Sequence, residues 1–219
     1  MIELEETLDH HKKNSDVSGQ LQTLSQLCQT YQAQRKYQKA LNYSKQAIEI
    51  VNNRDNPEDK IHALINLGCV YWEMAQLKKA MGIFQEALTI TEVIQEAEGQ
   101  KKLSAVLGIS YWRKGEWSTA FNWFERATTI LNLDTTKYEA LQVILERGVV
   151  TLENRIRIAR DQKDAERTLL PSFSMIPLLF FTNRKEKISR LIEEIIPLAR
   201  RLNKQNLLDQ IPKIQNLFV

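Results

Sequence analysis

The sequence predicts an all-α protein built as a stacked array of antiparallel helix hairpins. Three observations predict it. Glycine and proline total only 12 of 219 residues, while 43% of residues are apolar and 26% charged, a balance that disfavours collagen, long disordered tracts and turn-dense β-sandwiches. Residues 21, 61 and 101 begin three segments that fall into register at an unbroken period of 40, the mark of stacked supersecondary units. Within each segment apolar residues recur at offsets of three and four, the spacing of one helix face.

Residues 1–19 read as a short N-terminal helix over 2–13, packed as a cap, and a polar break, NSDVSG. Residues 20–132 hold the three repeats. Leu27, Leu67 and Leu107 align, followed by Cys28, Gly68 and Gly108, then Tyr31, Tyr71 and Tyr111. The second helix of each unit aligns Tyr37, Leu77 and Trp117, then Ala40, Ala80 and Ala120, then Ala47, Ala87 and Ala127, and last Ile50, Ile90 and Ile130. Small residues on the first helix and alanines on the second let the backbones approach, while the tyrosines and Phe84 or Phe124 fill the space beside them. Ser44 stands where those phenylalanines stand, with Tyr43 next to it to compensate; Ser104 likewise replaces the leucine of positions 24 and 64. Gly115 and the polar runs QAQRK, EMAQ and RKGE supply the turns inside hairpins, and Asn56-Pro57 and Glu98-Gly99 punctuate the gaps between them. One hairpin leaves an apolar side uncovered, so stacking stabilises the array.

Residues 133–219 read as degenerate, repeat-like helices. After Asp134 the run lacks glycine and proline beyond Gly148, so one or two long helices extend to about Leu170, with Pro171 as the boundary. Phe173, Ile176 and Phe180 share one face, Thr182-Asn183 makes a turn, and Ile188, Leu191, Ile192, Ile195 and Ile196 form a second stripe. The final NLLDQIPKIQNLFV folds back as a cap or docks on a partner.

The aligned columns resemble the tetratricopeptide repeat over residues 21–131, in the longer 40-residue variety found in kinesin light chains and in spindle-orienting scaffolds. The resemblance implies a right-handed superhelical array with a concave groove lined by the first helix of each hairpin. Along its first third the groove includes Gln22, Ser25, Gln26 and Ala33, and the site residues expected within it are Gln29, Gln32, His62, Ile65, Asn66, Cys69, Trp72, Lys102, Ile109, Trp112 and Arg113. Ile65, Trp72, Ile109 and Trp112 give the middle and last thirds an apolar strip suited to a peptide, while the first third is polar and rich in glutamine. Of the family's clamp for chaperone carboxylate tails only Asn66 and Lys102 are present, so that partner is not expected.

No phosphate-cradling loop, nucleophile elbow or paired cysteine spacing occurs, and His10-His11 has no third ligand in reach. The sequence therefore predicts no enzyme, cofactor or metal site. The expected function is an adaptor, scaffold or assembly factor that binds a protein or peptide, with a ligand-responsive sensor and a self-assembling protein, a homo-oligomer, as alternatives. Residues 1–100 carry 10 Lys and Arg against 14 Asp and Glu, and the rest 20 against 13. The cations are interleaved with acids as on solvated helix faces, so no nucleic-acid partner is expected. With no secretory or transmembrane stretch and only two cysteines, the expected compartment is cytoplasmic.

Overall fold

In the computed structural model of the protein, residues 2–130 and 137–219 are described, and every regular element among them is an α-helix. The boundary expected at residues 132–133, and Asp134, lie outside the described residues. The chain divides into two compact units, Met1–Leu107 with Ile130–Leu141, and Gly108–Thr129 with Gln142–Val219.

The first unit runs through α1 (Ile2–Lys13), α2 (Val17–Ala33), α3 (Tyr37–Asn52), α4 (Pro57–Glu73), α5 (Leu77–Val93) and most of α6 (Ala97–Arg113). Helices α2 and α3 pair, as do α4 and α5, and α4 packs on the preceding hairpin, so the first two predicted hairpins stand. Asp16 caps α2 by accepting from the Gly19 N–H at 2.9 Å, and Asn56 caps α4 by accepting from Asp59 at 3.1 Å, with Pro57 in the first turn. The gap before α6 is not at Glu98-Gly99, which lie in its first turn, but at Ile94–Glu96, where Glu96 accepts from the Gly99 N–H at 2.6 Å. Gly99 is small because its neighbours are close: a Cβ there would sit 2.7 Å from Thr91 Cγ2 and 3.1 Å from the Tyr138 ring.

Close approach also explains Gly68, where a Cβ would lie 2.4 Å from Phe84 Cε1. The equivalent positions in the first hairpin are Cys28 and Ser44, both fully buried, so a larger residue on one helix offsets a smaller one on the other. Tyr43 does not substitute for the missing aromatic. It stacks on Tyr31, ring centroids 5.5 Å apart, and both hydroxyls donate to Glu5 Oε1 at 2.9 Å. These two hydrogen bonds hold the Glu5 carboxyl below the usual carboxylate range. With Leu8 buried in the same core as Leu24 and Leu27, they fasten α1 to the first hairpin.

The second unit takes the end of α6, α7 (Trp117–Thr129), most of α8 (Glu139–Asp161), α9 (Ala165–Phe181), α10 (Glu186–Arg201), α11 (Gln205–Leu208) and α12 (Ile211–Phe218). The expected boundary at Pro171 is not there. The break comes at Gln162–Asp164, Asp164 caps α9 by accepting from the Arg167 N–H at 3.0 Å, and Pro171 and Pro177 lie inside α9. Helices α8 and α10 lie side by side, joined by Arg184–Glu146 at 2.6 Å, Lys187–Glu153 at 3.2 Å and Arg160–Glu194. The final helix folds back. Phe218, 2% exposed, has its ring 4.7 Å from Phe180 and 5.3 Å from Phe124.

Eight breaks among the described residues are closed by one device. Ser15, Arg35, Ala75, Gln95, Gly115, Lys163, Asn183 and Asn203 have positive φ, between 52° and 78°. At each, the left-handed residue donates its N–H to the carbonyl three residues back and the next residue donates to the carbonyl five back. Examples are Arg35 to Gln32 with Lys36 to Tyr31, both 2.9 Å, and Lys163 to Arg160 with Asp164 to Ala159, both 2.9 Å. This is the Schellman arrangement, which satisfies the terminal carbonyls of a helix. The positions recur in steps of 20 or 40 from Ser15 to Gly115, and again in steps of 20 from Lys163 to Asn203. Helices α9 and α10 therefore keep the helix and turn lengths of the repeats in a part of the chain where the sequence columns fail.

Candidate functional site

In the first unit, the outward face of α2 is a row of amides: Gln22, Gln26 and Gln29 are exposed, with Ala33 at its end. Helix α4 lies beside it. Asn66, 6% exposed, donates from Nδ2 to Ser25 Oγ at 2.9 Å and so links the two first helices. His62 is exposed one turn before Asn66, its ring 4.8 Å from that of Tyr138. Gln32 is buried at the far end of α2, with Cys28 Sγ 3.9 Å from its Oε1. Lys102 on α6 is drawn into the protein: it pairs with Glu98 at 2.9 Å and donates to the Lys137 carbonyl.

The expected apolar strip is not a surface. Ile65 and Cys69 on α4 are 1% and 0% exposed, and Trp72 is buried with its ring 6.3 Å from Phe84. In the second unit Ile109 is fully buried and Trp112 is 2% exposed. Phe173 of α9 stacks on Trp112, centroids 4.7 Å apart and planes 14° off parallel, and the indole N–H donates to the Phe173 carbonyl at 3.2 Å. An indole whose face is stacked and whose one donor is satisfied is a packing residue. Arg113, the next residue, stays at the surface. Of the eleven expected site residues, Gln29, His62 and Arg113 are exposed and Lys102 is partly so; the other seven are in the interior. Gln22 and Gln26, also expected in the first third of the groove, are exposed on the same helix face as Gln29.

Neither cysteine is poised for chemistry. Both are buried and outside any disulfide, and burial pushes the Cys28 thiol up to about 12. No helix among the described residues is long and apolar enough to cross a membrane.

Stacked two-helix units, closed by uniform turns and packed glycine against phenylalanine, define a helical-hairpin repeat protein. Residues 19–92, about a third of the chain, match the family model described as tetratricopeptide repeat. Among curated proteins, no sequence matches the chain. BtubC (BKLC) from P. vanneervenii has a similar structure, with a TM-score of 0.57 at 12% identity over 99% of this chain and 88% of that one; the likeness is one of fold. Lower in similarity are nearly identical TPR-like repeats of a kinesin light chain from Podosopora anserina, TM-score 0.48 at 16% identity over 84% and 96% of the two chains. The apo quorum sensor NprR from B. thuringiensis is alike to the same degree, 0.48 at 16% identity over 93% and 62%.

Proposed function

We propose that the chain is a non-enzymatic interaction module, an adaptor, scaffold or assembly factor of the cytoplasm, that holds a partner protein on the polar face of α2 and α4. The observation that carries this reading is the exposed row Gln22, Gln26 and Gln29, continued by His62 and braced by the Asn66 to Ser25 hydrogen bond. Each glutamine amide offers two donors and a carbonyl acceptor without a charge. Such a row pairs with the backbone of a partner segment, whose N–H and C=O groups alternate along its length.

The test is a pull-down from the source cell comparing wild type with the Gln22→Ala/Gln26→Ala/Gln29→Ala variant, after circular dichroism and melting establish that both fold alike. Each lost hydrogen bond is worth about 0.5–1.5 kcal/mol, so a protein held by wild type is released by the triple variant. A set of proteins captured equally by both sinks the reading. Trp72 and Trp112 are unsuitable for this purpose, because their removal would cut into the core.

A further inference from the structure

Ile158 on α8 and Leu170 on α9 are 49% and 48% exposed, although their neighbours Ile156 and Leu169 are buried. Both line one open cleft of about 330 Å³ in the second unit, with Ala159 and Pro171 beside them. Arg155 and Arg167 line the same cleft. Its one carboxylate, Glu166, is neutralised by Lys204 at 2.9 Å. Arg167 shares Asp164 at 3.4 Å with most of its side chain in solvent, and Arg155 has no ion-pair partner among the described residues.

We propose that this cleft docks an acidic protein segment presenting an aliphatic side chain. Two half-exposed aliphatic residues offer area for such a side chain, and the guanidiniums of Arg155 and of Arg167, the latter largely in solvent despite its contact with Asp164, suit carboxylates beside it. The cleft is open, whereas small-molecule pockets enclose about 70–90% of their ligand, so a fatty acid or similar anion is a poor occupant. A nucleic-acid backbone requires a run of cations, and the cleft is lined by two, Arg155 and Arg167. The cleft lies wholly within the second unit and is independent of the glutamine row on α2.

The test is fluorescence anisotropy on the full chain with a labelled peptide in which glutamates flank two leucines. Peptides with lysine for glutamate, and with serine for leucine, serve as comparisons. The acidic leucine peptide binds, and binding weakens as salt rises. Arg155→Glu and Leu170→Ser, both at exposed positions and checked by melting, each weaken it about tenfold. The triple glutamine variant of α2 binds it as wild type does. Equal binding of the lysine peptide, wild-type binding by Arg155→Glu and Leu170→Ser, or loss of binding in the α2 variant would overturn the proposal. So would displacement of the peptide by vesicles of anionic phospholipid.

Discussion

A methyl group added at Gly68 would land 2.4 Å from Cε1 of Phe84, whereas one added at Gly82, in the interior of α5, would meet nothing within 4 Å. The two glycine-to-alanine changes therefore have opposite signs. Gly68→Ala overpacks the hairpin and costs about 1–3 kcal/mol. Gly82→Ala removes backbone freedom from the unfolded chain and stabilises by roughly 1 kcal/mol. Thermal melting reads both, at about 2–4 °C per kcal/mol for a chain of this size; a shift of the same sign in both would refute the packing account. The small-against-large pairing was legible in the sequence because volume complementarity is written in residue types, column by column. The covering of Trp112 was not. Its partner Phe173 stands 61 residues further on, in a segment with no repeat columns, and a tryptophan on a helix face carries no mark of what lies over it.

At the level of elements, the helices were legible from periodicity and the turns only in part. Gly115, Asn56-Pro57 and Thr182-Asn183 announce breaks by their side chains. Arg35 and Ala75 are marked only by the polar runs around them, and Gln95 and Lys163 not at all, because the turn they occupy is held by two backbone hydrogen bonds and needs no particular side chain. For that reason the break at Lys163 was expected eight residues too late, at a proline that a helix in fact accommodates. The cost of the device is a left-handed backbone at residues with a Cβ, about 1–2 kcal/mol each. Ala75→Gly removes that cost and adds about 0.5–1 kcal/mol of unfolded-chain entropy, so a net gain near 0.5 kcal/mol is expected, a rise of one or two degrees in the melting midpoint. A fall in the midpoint would mean that the methyl group of Ala75 makes a contact worth more than the backbone strain.

For the whole molecule, two compact units in one chain predict that damage stays local, since each repeat-like element is stabilised by its own neighbours. Phe218→Ala empties a site among Phe124, Phe180 and Phe181, a loss of about 3–5 kcal/mol. Hydrogen exchange then rises in α7, α9 and α12 while α2 to α5 keep their protection; an even rise across both units would show a single cooperative body instead. The polar face of α2 was half legible, as a glutamine-rich stretch, while the apolar cleft of α8 and α9 was not, because which side of a helix stays bare depends on packing far along the chain. The uniform turns have a further consequence, for how such a chain grows. The block from Arg35 to Ala75 begins and ends on the same backbone geometry, so a second copy of it spliced in tandem would meet at either seam the junction it already knows. Length in this architecture is thus a matter of copy number, open to duplication without any new loop having to be invented.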